Sequence, residues 1–213
     1  PTLKNGIQPA AGCVATAFAQ VMKHYEWPKM GKGRVASVIL EGVESAKTVD
    51  FSATTYDWDN MLNDYTNYYN ETQANAVAEL MFHVGAASKM NYAYASGAEF
   101  YDACAAFVKN FDYDKSIRHI HKRYYTISEF NDLVYNELSN NRPVMYAGYN
   151  ITSGHAFVCD GYSSDNMFHI NWGWGGMSDG YFRLSALSPS SQGTGGSNSG
   201  YNSNQEIIYN IKT

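Results

Sequence analysis

The feature that most constrains the fold is a change of residue pattern at Arg142-Pro143. Before it, apolar residues recur three and four positions apart, which is the period of an amphipathic α-helix. After it, short β-type runs alternate with Gly, Ser, Asn and Asp, which is typical of strands joined by turns. We predict helices over 13–25, 72–87, 97–109 and 128–140, and strands over 144–149, 155–160, 167–171, 181–184 and 206–211. Helices followed by antiparallel strands predict an α+β fold.

The length of 213 residues suits one large domain or two closely packed halves that share a core. We predict a single domain over 1–213 with two subdomains. The helical subdomain covers about 1–140 and includes a polar, irregular insert at 31–70 with strand-like patches. The β-rich subdomain covers about 141–213.

Charge and hydropathy exclude two classes of protein. The 15 basic and 20 acidic residues give a net charge of −5, so the chain lacks the basic footprint of a nucleic-acid-binding protein. No stretch approaches the roughly 20 apolar residues that span a bilayer. Only 16% of residues are charged and 18 are tyrosine, a composition more common in exported proteins. We predict a secreted or cell-surface protein whose signal peptide is absent from this chain.

Three cysteines are present, and their odd number and spacing do not suggest a disulfide framework. Cys104 and Cys159 lie in apolar runs, where a small buried hydrophobic side chain is the simplest interpretation. Cys13 follows Gly12 and opens a predicted helix, whose unpaired N–H groups and dipole favour a thiolate. Those N–H groups can also donate to a developing oxyanion. On its own, Cys13 is equally well explained as a buried helix-start cysteine.

His155 is the best partner for a cysteine nucleophile. It lies 142 residues after Cys13, within the roughly 130–150 that separate Cys and His in papain-type enzymes. It precedes an apolar strand, and Asn171 follows at the end of the next one. An amide oxygen there can accept from the imidazole and fix its tautomer. Trp172 can cover that hydrogen bond and keep water away from it.

The other histidines have simpler explanations. His24 and His83 fall on predicted helices and are interpreted as surface or packing residues. His119 and His121 alternate in a probable strand and could face one side, but the sequence offers no evident third ligand, so we predict no metal site. His169 lies two residues before Asn171 and is the only rival base worth testing.

Three segments, 12–22, 154–161 and 171–182, resemble the streptopain family of papain-like cysteine peptidases in residues, order and spacing. The resemblance extends through 183–189 and 193–196, and to short stretches around 79–97. It implies a papain-like fold, in which the helix-rich half packs against the sheet with an active-site cleft between them. It also implies a secreted bacterial endopeptidase made as a zymogen, acting on protein or peptide substrates, inhibited by its own pro-domain and needing no cofactor.

The resemblance also implies roles for individual residues. Cys13 would be the nucleophile, His155 the base, Asn171 the orienting residue and Trp172 its shield. A groove segment over 92–98 would bind substrate, and a loop over 193–201 would border the cleft. The candidate substrate-binding residues are Ser96, Gly97, Ala98 and Gly154. Members of the family tend to accept a hydrophobic side chain two residues before the scissile bond.

The chain departs from the family at its beginning. The family places a glutamine upstream of the cysteine to complete the oxyanion hole, whereas Gln8 is the sole glutamine before Cys13 and lies closer to it. We expect the missing donor to come from a further or separate N-terminal segment, because a flexible loop around Gln8 is poorly preorganised.

Two other functions remain open at this point. The same Cys-His-Asn chemistry can serve an amidase or an acyltransferase, and a transferase would need a second site for its acceptor. A catalytically dead binding module is the other alternative, and the intact Cys13, His155, Asn171 and Trp172 argue against it.

Overall fold

The computed structural model describes residues 1–197 and 199–213. The chain divides into two compact units, Pro1–Lys115 and Ser116–Lys212, and each is described by itself. No helix among the described residues is long and apolar enough to span a bilayer.

The first unit combines three helices with a small sheet. The helices are α1 (Cys13–Tyr25), α2 (Glu71–Ala87) and α3 (Phe100–Phe111). The strands β1 (Arg34–Leu40), β2 (Val43–Asp50) and β3 (Asn91–Tyr92) form a sheet in the order β2-β1-β3. The β1–β2 hairpin is antiparallel and occupies much of the insert that was predicted to be irregular.

Aromatic side chains fill the core of the first unit. Phe18 of α1 stacks on Phe107 of α3 with ring centroids 3.7 Å apart, and it meets Phe111 edge-on at 5.4 Å. All three rings are fully buried. The apolar face of α1 is therefore anchored against α3, which fixes the position of the first turn of α1. Burial of an aromatic side chain of this kind stabilises a fold by about 1.5–3 kcal/mol.

Over its described residues, the second unit consists of a six-stranded antiparallel sheet and one α-helix. The helix is α4 (Ile127–Ser139), and the strands are β4 (Arg118–His121), β5 (Val144–Tyr149), β6 (Gly154–Tyr162), β7 (Phe168–Asn171), β8 (Gly180–Phe182) and β9 (Ser203–Tyr209). Their order in the sheet is β4-β9-β5-β6-β7-β8. Helix α4 begins with a capping box, in which Thr126 accepts from the Glu129 N–H and Glu129 accepts from the Thr126 N–H.

The core of the second unit lies between α4 and the sheet. Tyr146 of β5 and Phe157 of β6 stack with centroids 5.1 Å apart, and Phe130 of α4 meets Tyr146 edge-on at 6.0 Å. Because Phe157 is held in this core, the neighbouring residues of β6 are fixed as well. Among them is His155, two positions earlier on the same strand.

The α+β class predicted from the sequence is confirmed by these elements and by the structural comparisons given below. The division into units differs from the predicted subdomains, whose boundary lay near residue 140. In the structure β4 pairs with β9, with Arg118 opposite Tyr209 and His121 opposite Glu206. A strand that pairs with the last strand of the sheet belongs to the second unit, together with α4.

Candidate active site

Cys13 is the first residue of α1 and is half-buried. The residue before it, Gly12, has a φ of 92°, which a residue with a side chain rarely adopts. A Cβ on Gly12 would lie 2.7 Å from the end of the Met90 side chain and 3.3 Å from the Ser96 carbonyl oxygen. A glycine is therefore required for the chain to enter the helix at this point.

The start of α1 favours an anion. Among the described residues, no side chain caps Gly12 and no acidic residue occupies the first turn. The backbone dipoles then present a partial positive charge near Cys13 that no carboxylate of the first turn offsets. Such a setting supports a thiolate, and the first N–H groups of the helix can donate to an oxyanion.

The predicted substrate segment lies beside this helix start within the first unit. Asn91 and Gly97 exchange backbone hydrogen bonds of 2.9 and 3.3 Å, which close the 91–97 loop. The Ser96 hydroxyl donates to the Ala93 carbonyl at 3.1 Å and accepts from the Ala93 N–H at 3.0 Å. Ser96 is buried, whereas Gly97 is exposed and Ala98 half-buried. The substrate-binding roles of these residues remain predictions.

His155 of β6 is buried, with 4% of its surface exposed. Its Nε2 lies 2.8 Å from the carbonyl oxygen of Trp172. A carbonyl oxygen can only accept, so Nε2 must carry a hydrogen and, in the neutral ring, Nδ1 carries the lone pair. The preceding Gly154 is also constrained, because a Cβ there would lie 2.5 Å from the Tyr149 ring.

Aromatic rings enclose the imidazole. Trp174 stacks on His155 with centroids 4.4 Å apart and an angle of 16° between the planes, whereas Trp172 lies nearly parallel at 6.3 Å. Tyr201 adds a tilted contact at 5.3 Å. Burial lowers the pKa of His155 to about 4, although the bond to the Trp172 carbonyl acts in the opposite direction. With no anion beside it, the imidazole of His155 is therefore neutral at pH 7 and able to accept a proton.

Asn171 contacts the same peptide group that holds the imidazole. Its Oδ1 accepts from the Gly173 N–H at 2.9 Å. That N–H and the Trp172 carbonyl belong to one planar peptide unit, so Asn171 fixes the plane from which the carbonyl reaches His155. Asp179 Oδ1 accepts from the Trp172 N–H at 2.8 Å and holds the peptide before it. The direct orienting role predicted for Asn171, and the shielding role of Trp172, remain predictions.

The sequence interpretation assigned no role to Trp174 or Asp179, which lie within the 171–182 segment that resembles the family. The Trp-Gly-Trp pattern was a usable signal for Trp174, because two tryptophans two positions apart can face the same side. The ring of Trp174 lies against the 193–201 loop: its Nε1–H donates to the Thr194 carbonyl at 3.2 Å, and a Cβ on Gly193 would lie 2.6 Å from it. Residue 198 of this loop lies outside the described residues.

The remaining cysteines and the rival histidine have other contacts. Cys159 is fully buried, and burial raises the pKa of its thiol well above the usual range, so it is protonated at neutral pH. Cys104 on α3 is half-buried. The Nδ1 of His169 lies 2.5 Å from Asp160 Oδ1, so this partly exposed imidazole is hydrogen-bonded to a carboxylate. His83 is buried, with its Nδ1 3.0 Å from the Tyr56 hydroxyl.

A cysteine at a helix start and a buried, oriented histidine on an antiparallel sheet are the features of a papain-type cysteine peptidase. The comparisons agree: the sequence profile of the Peptidase C10 family matches residues 1–182, and the chain belongs to this family. It is 38% identical to streptopain of Streptococcus pyogenes over 97% of this chain and 54% of the relative. It is 39% identical to the thiol protease/hemagglutinin PrtT of Porphyromonas gingivalis over 100% of this chain and 24% of the relative.

Solved structures of the family are also similar. The active wild-type interpain A cysteine protease of Prevotella intermedia matches with a TM-score of 0.87 and 36% identity, over 98% of this chain and 85% of the other. A prointerpain A fragment from the same organism matches with a TM-score of 0.84 and 34% identity, over 100% of this chain and 66% of the other. These findings confirm the predicted family and the predicted class, cysteine peptidase. The chain spans about half the length of streptopain and about a quarter of PrtT.

Proposed function

We propose that this protein is an endopeptidase in which Cys13 is the nucleophile and His155 the general base. The observation that carries the proposal is the bond from His155 Nε2–H to the Trp172 carbonyl. It leaves Nδ1 as the basic nitrogen of a neutral, buried ring, which is the state that a base must have before it accepts a proton.

The reaction begins with transfer of the Cys13 thiol proton to His155 Nδ1. The thiolate then attacks the carbonyl carbon of the scissile peptide, and the electron pair of the C=O bond moves to oxygen. The N–H groups at the start of α1 donate to that oxyanion. When the intermediate collapses, the imidazolium gives its proton to the departing amine and a thioester to Cys13 remains. His155 next removes a proton from water, and the water oxygen attacks the thioester carbon. When this second intermediate collapses, it expels the Cys13 sulfur, which takes the proton back from the imidazolium, and the acid is released.

The surroundings of His155 support both halves of this cycle. Burial keeps the free ring neutral, and a thiolate on Cys13 would stabilise the imidazolium once it forms. The Nε2–H bond to Trp172 strengthens when the ring is charged. We assign to Asn171 the task of holding the Trp172–Gly173 peptide, and to Trp172 and Trp174 the task of excluding water from that bond.

The substrates we propose are proteins and peptides with a hydrophobic side chain two residues before the scissile bond. Ser96, Gly97, Ala98 and Gly154 are the candidate contacts with the substrate backbone. We further propose that the protein is secreted by a bacterium and made with an inhibitory pro-domain. The prointerpain A relative supports the pro-domain, since its name describes a proenzyme.

The test uses an epoxide-type irreversible thiol inhibitor and a peptide library. The proposal requires the inhibitor to label Cys13, and it requires Cys13→Ala and His155→Ala each to abolish peptide hydrolysis with the fold intact. Cys104→Ala is the matched control and should retain activity. Retained activity in Cys13→Ala, or its loss in Cys104→Ala, would contradict the assignment. Transfer of the acyl group to an added amine, in place of hydrolysis by water, would indicate an acyltransferase instead.

A further inference from the structure

Two histidines and a glutamate meet where β4 pairs with β9. His119 and His121 alternate along β4 and therefore face the same side of the sheet. Glu206 of β9 lies directly opposite His121 in the pairing register. The Oε2 atom of Glu206 is 2.6 Å from His119 Nε2 and 3.7 Å from His121 Nδ1. Among the described residues, these three form the group whose ligand atoms all lie within 4.8 Å of one another.

These distances suit a tetrahedral metal ion. Zinc binds histidine nitrogen and carboxylate oxygen at about 2.0–2.2 Å, which places adjacent tetrahedral ligand atoms about 3.4 Å apart. The separation of Glu206 Oε2 from His121 Nδ1 is already close to that value. The contact of Oε2 with His119 Nε2 must lengthen by somewhat less than 1 Å, which a small rotation of the side chains supplies.

A hydrogen bond to the other oxygen of the Glu206 carboxylate fixes its orientation. The Tyr149 hydroxyl donates to Glu206 Oε1 at 2.6 Å, so that Oε2 faces the two imidazoles. Partners of this kind orient ligating carboxylates in metal sites. The side chain of Glu206 is 7% exposed and that of His119 15%, whereas that of His121 is 38% exposed. Two ligands are thus fixed by burial, and the third lies on the side open to solvent.

We propose that His119, His121 and Glu206 bind one Zn²⁺ ion, with a water molecule as the fourth ligand. Two nitrogens and one oxygen form a ligand set that zinc accepts, with the remaining position open. The ion would join β4, at the edge of the sheet, to β9. An ordinary histidine–carboxylate contact without a metal is the competing explanation. The pair formed by His169 and Asp160 is such a contact, in which a single imidazole lies against the carboxylate.

Zn²⁺ titration by calorimetry tests the site in the full chain carrying Cys13→Ala, because a thiolate at Cys13 would itself bind zinc. We expect one ion per chain. His121→Asn and Glu206→Gln should each weaken binding by at least about 100-fold, and Tyr149→Phe by about tenfold, since loss of an outer partner typically costs 10–100-fold. His169→Asn is the matched control and should leave the affinity unchanged.

Circular dichroism of each variant checks the fold. If Glu206→Gln does not fold, His121→Asn decides the question, because its side chain is the most exposed of the three. The proposal is overturned if the Cys13→Ala chain binds no Zn²⁺, if His121→Asn binds as tightly as its parent, or if His169→Asn removes the binding. None of these measurements depends on peptidase activity, so failure here and failure of the proposed function are distinguishable.

Discussion

Because His155 is buried and neutral, we predict that the stability of the folded protein depends on pH. The pKa of this imidazole is about 4 in the folded protein, against about 6.5 for an unperturbed histidine. Between these two values the unfolded chain binds a proton that the folded chain does not. Stability must therefore fall as pH decreases from about 6.5 to about 4, and this contribution is constant outside that window.

The magnitude follows from the two pKa values. Proton linkage at a single site gives a loss of about 2 kcal/mol between pH 7 and pH 5, and about 3 kcal/mol by pH 4. The change of pH is best applied to the Cys13→Ala variant, since a thiolate at Cys13 would stabilise the imidazolium and raise the pKa of His155. The comparison chain is Cys13→Ala with His155→Gln, because a glutamine N–H can still donate to the Trp172 carbonyl without titrating.

The assay is urea unfolding of both chains at pH 7, 6 and 5. Other titrating groups, including the buried His83, contribute equally to both and cancel in the difference. We expect the free energy of unfolding to fall by about 2 kcal/mol more in the chain that retains His155. Parallel pH profiles for the two chains would refute the reasoning, as would an NMR titration of His155 in Cys13→Ala with a midpoint near 6.5.

Two further predictions concern the residues around the reacting pair. Asn171→Ala should lower kcat more than it changes KM, because the Trp172–Gly173 peptide then loses the contact that fixes its carbonyl. Steady-state kinetics measure both constants, and a raised KM with unchanged kcat would contradict the prediction. Gly12→Ala should cost about 1–3 kcal/mol in urea unfolding, because its φ of 92° suits glycine and its Cβ would meet a buried side chain. Gly97→Ala is the control and should be neutral, since a Cβ there meets nothing within 4 Å; equal effects at the two positions would remove the steric argument.

Periodicity predicted the local elements well. The apolar spacing after Cys13 gave a helix that is observed as Cys13–Tyr25, and the run around Phe157 gave a strand that is observed as Gly154–Tyr162. Both signals are local, because they depend on which face of a helix or strand is buried. The spacing from Cys13 to His155, together with the motif resemblance, indicated the family that the comparisons confirm.

Contacts between distant segments were beyond the reach of the sequence pattern. The pairing of β4 with β9 moved the boundary of the second unit to Ser116, and it brought Glu206 to His119 and His121 as a possible third ligand. Strand pairing of this kind depends on the register of residues far apart in the chain, which alternation alone does not specify. The sequence-based expectation of no metal site rested on the apparent lack of that ligand.

The acceptor that holds the imidazole of His155 is a main-chain carbonyl, and this has a consequence for genetics. Every residue that could stand at position 172 carries the same carbonyl, so no codon change at that position deletes the hydrogen bond directly. Alanine scanning would record only the loss of the Trp172 ring and assign the whole effect to it. Chemical synthesis offers the missing probe, an ester in place of the Trp172–Gly173 amide. The ester removes the Gly173 N–H, whose hydrogen bond Asn171 accepts, and makes the Trp172 carbonyl a weaker acceptor, while every side chain is kept.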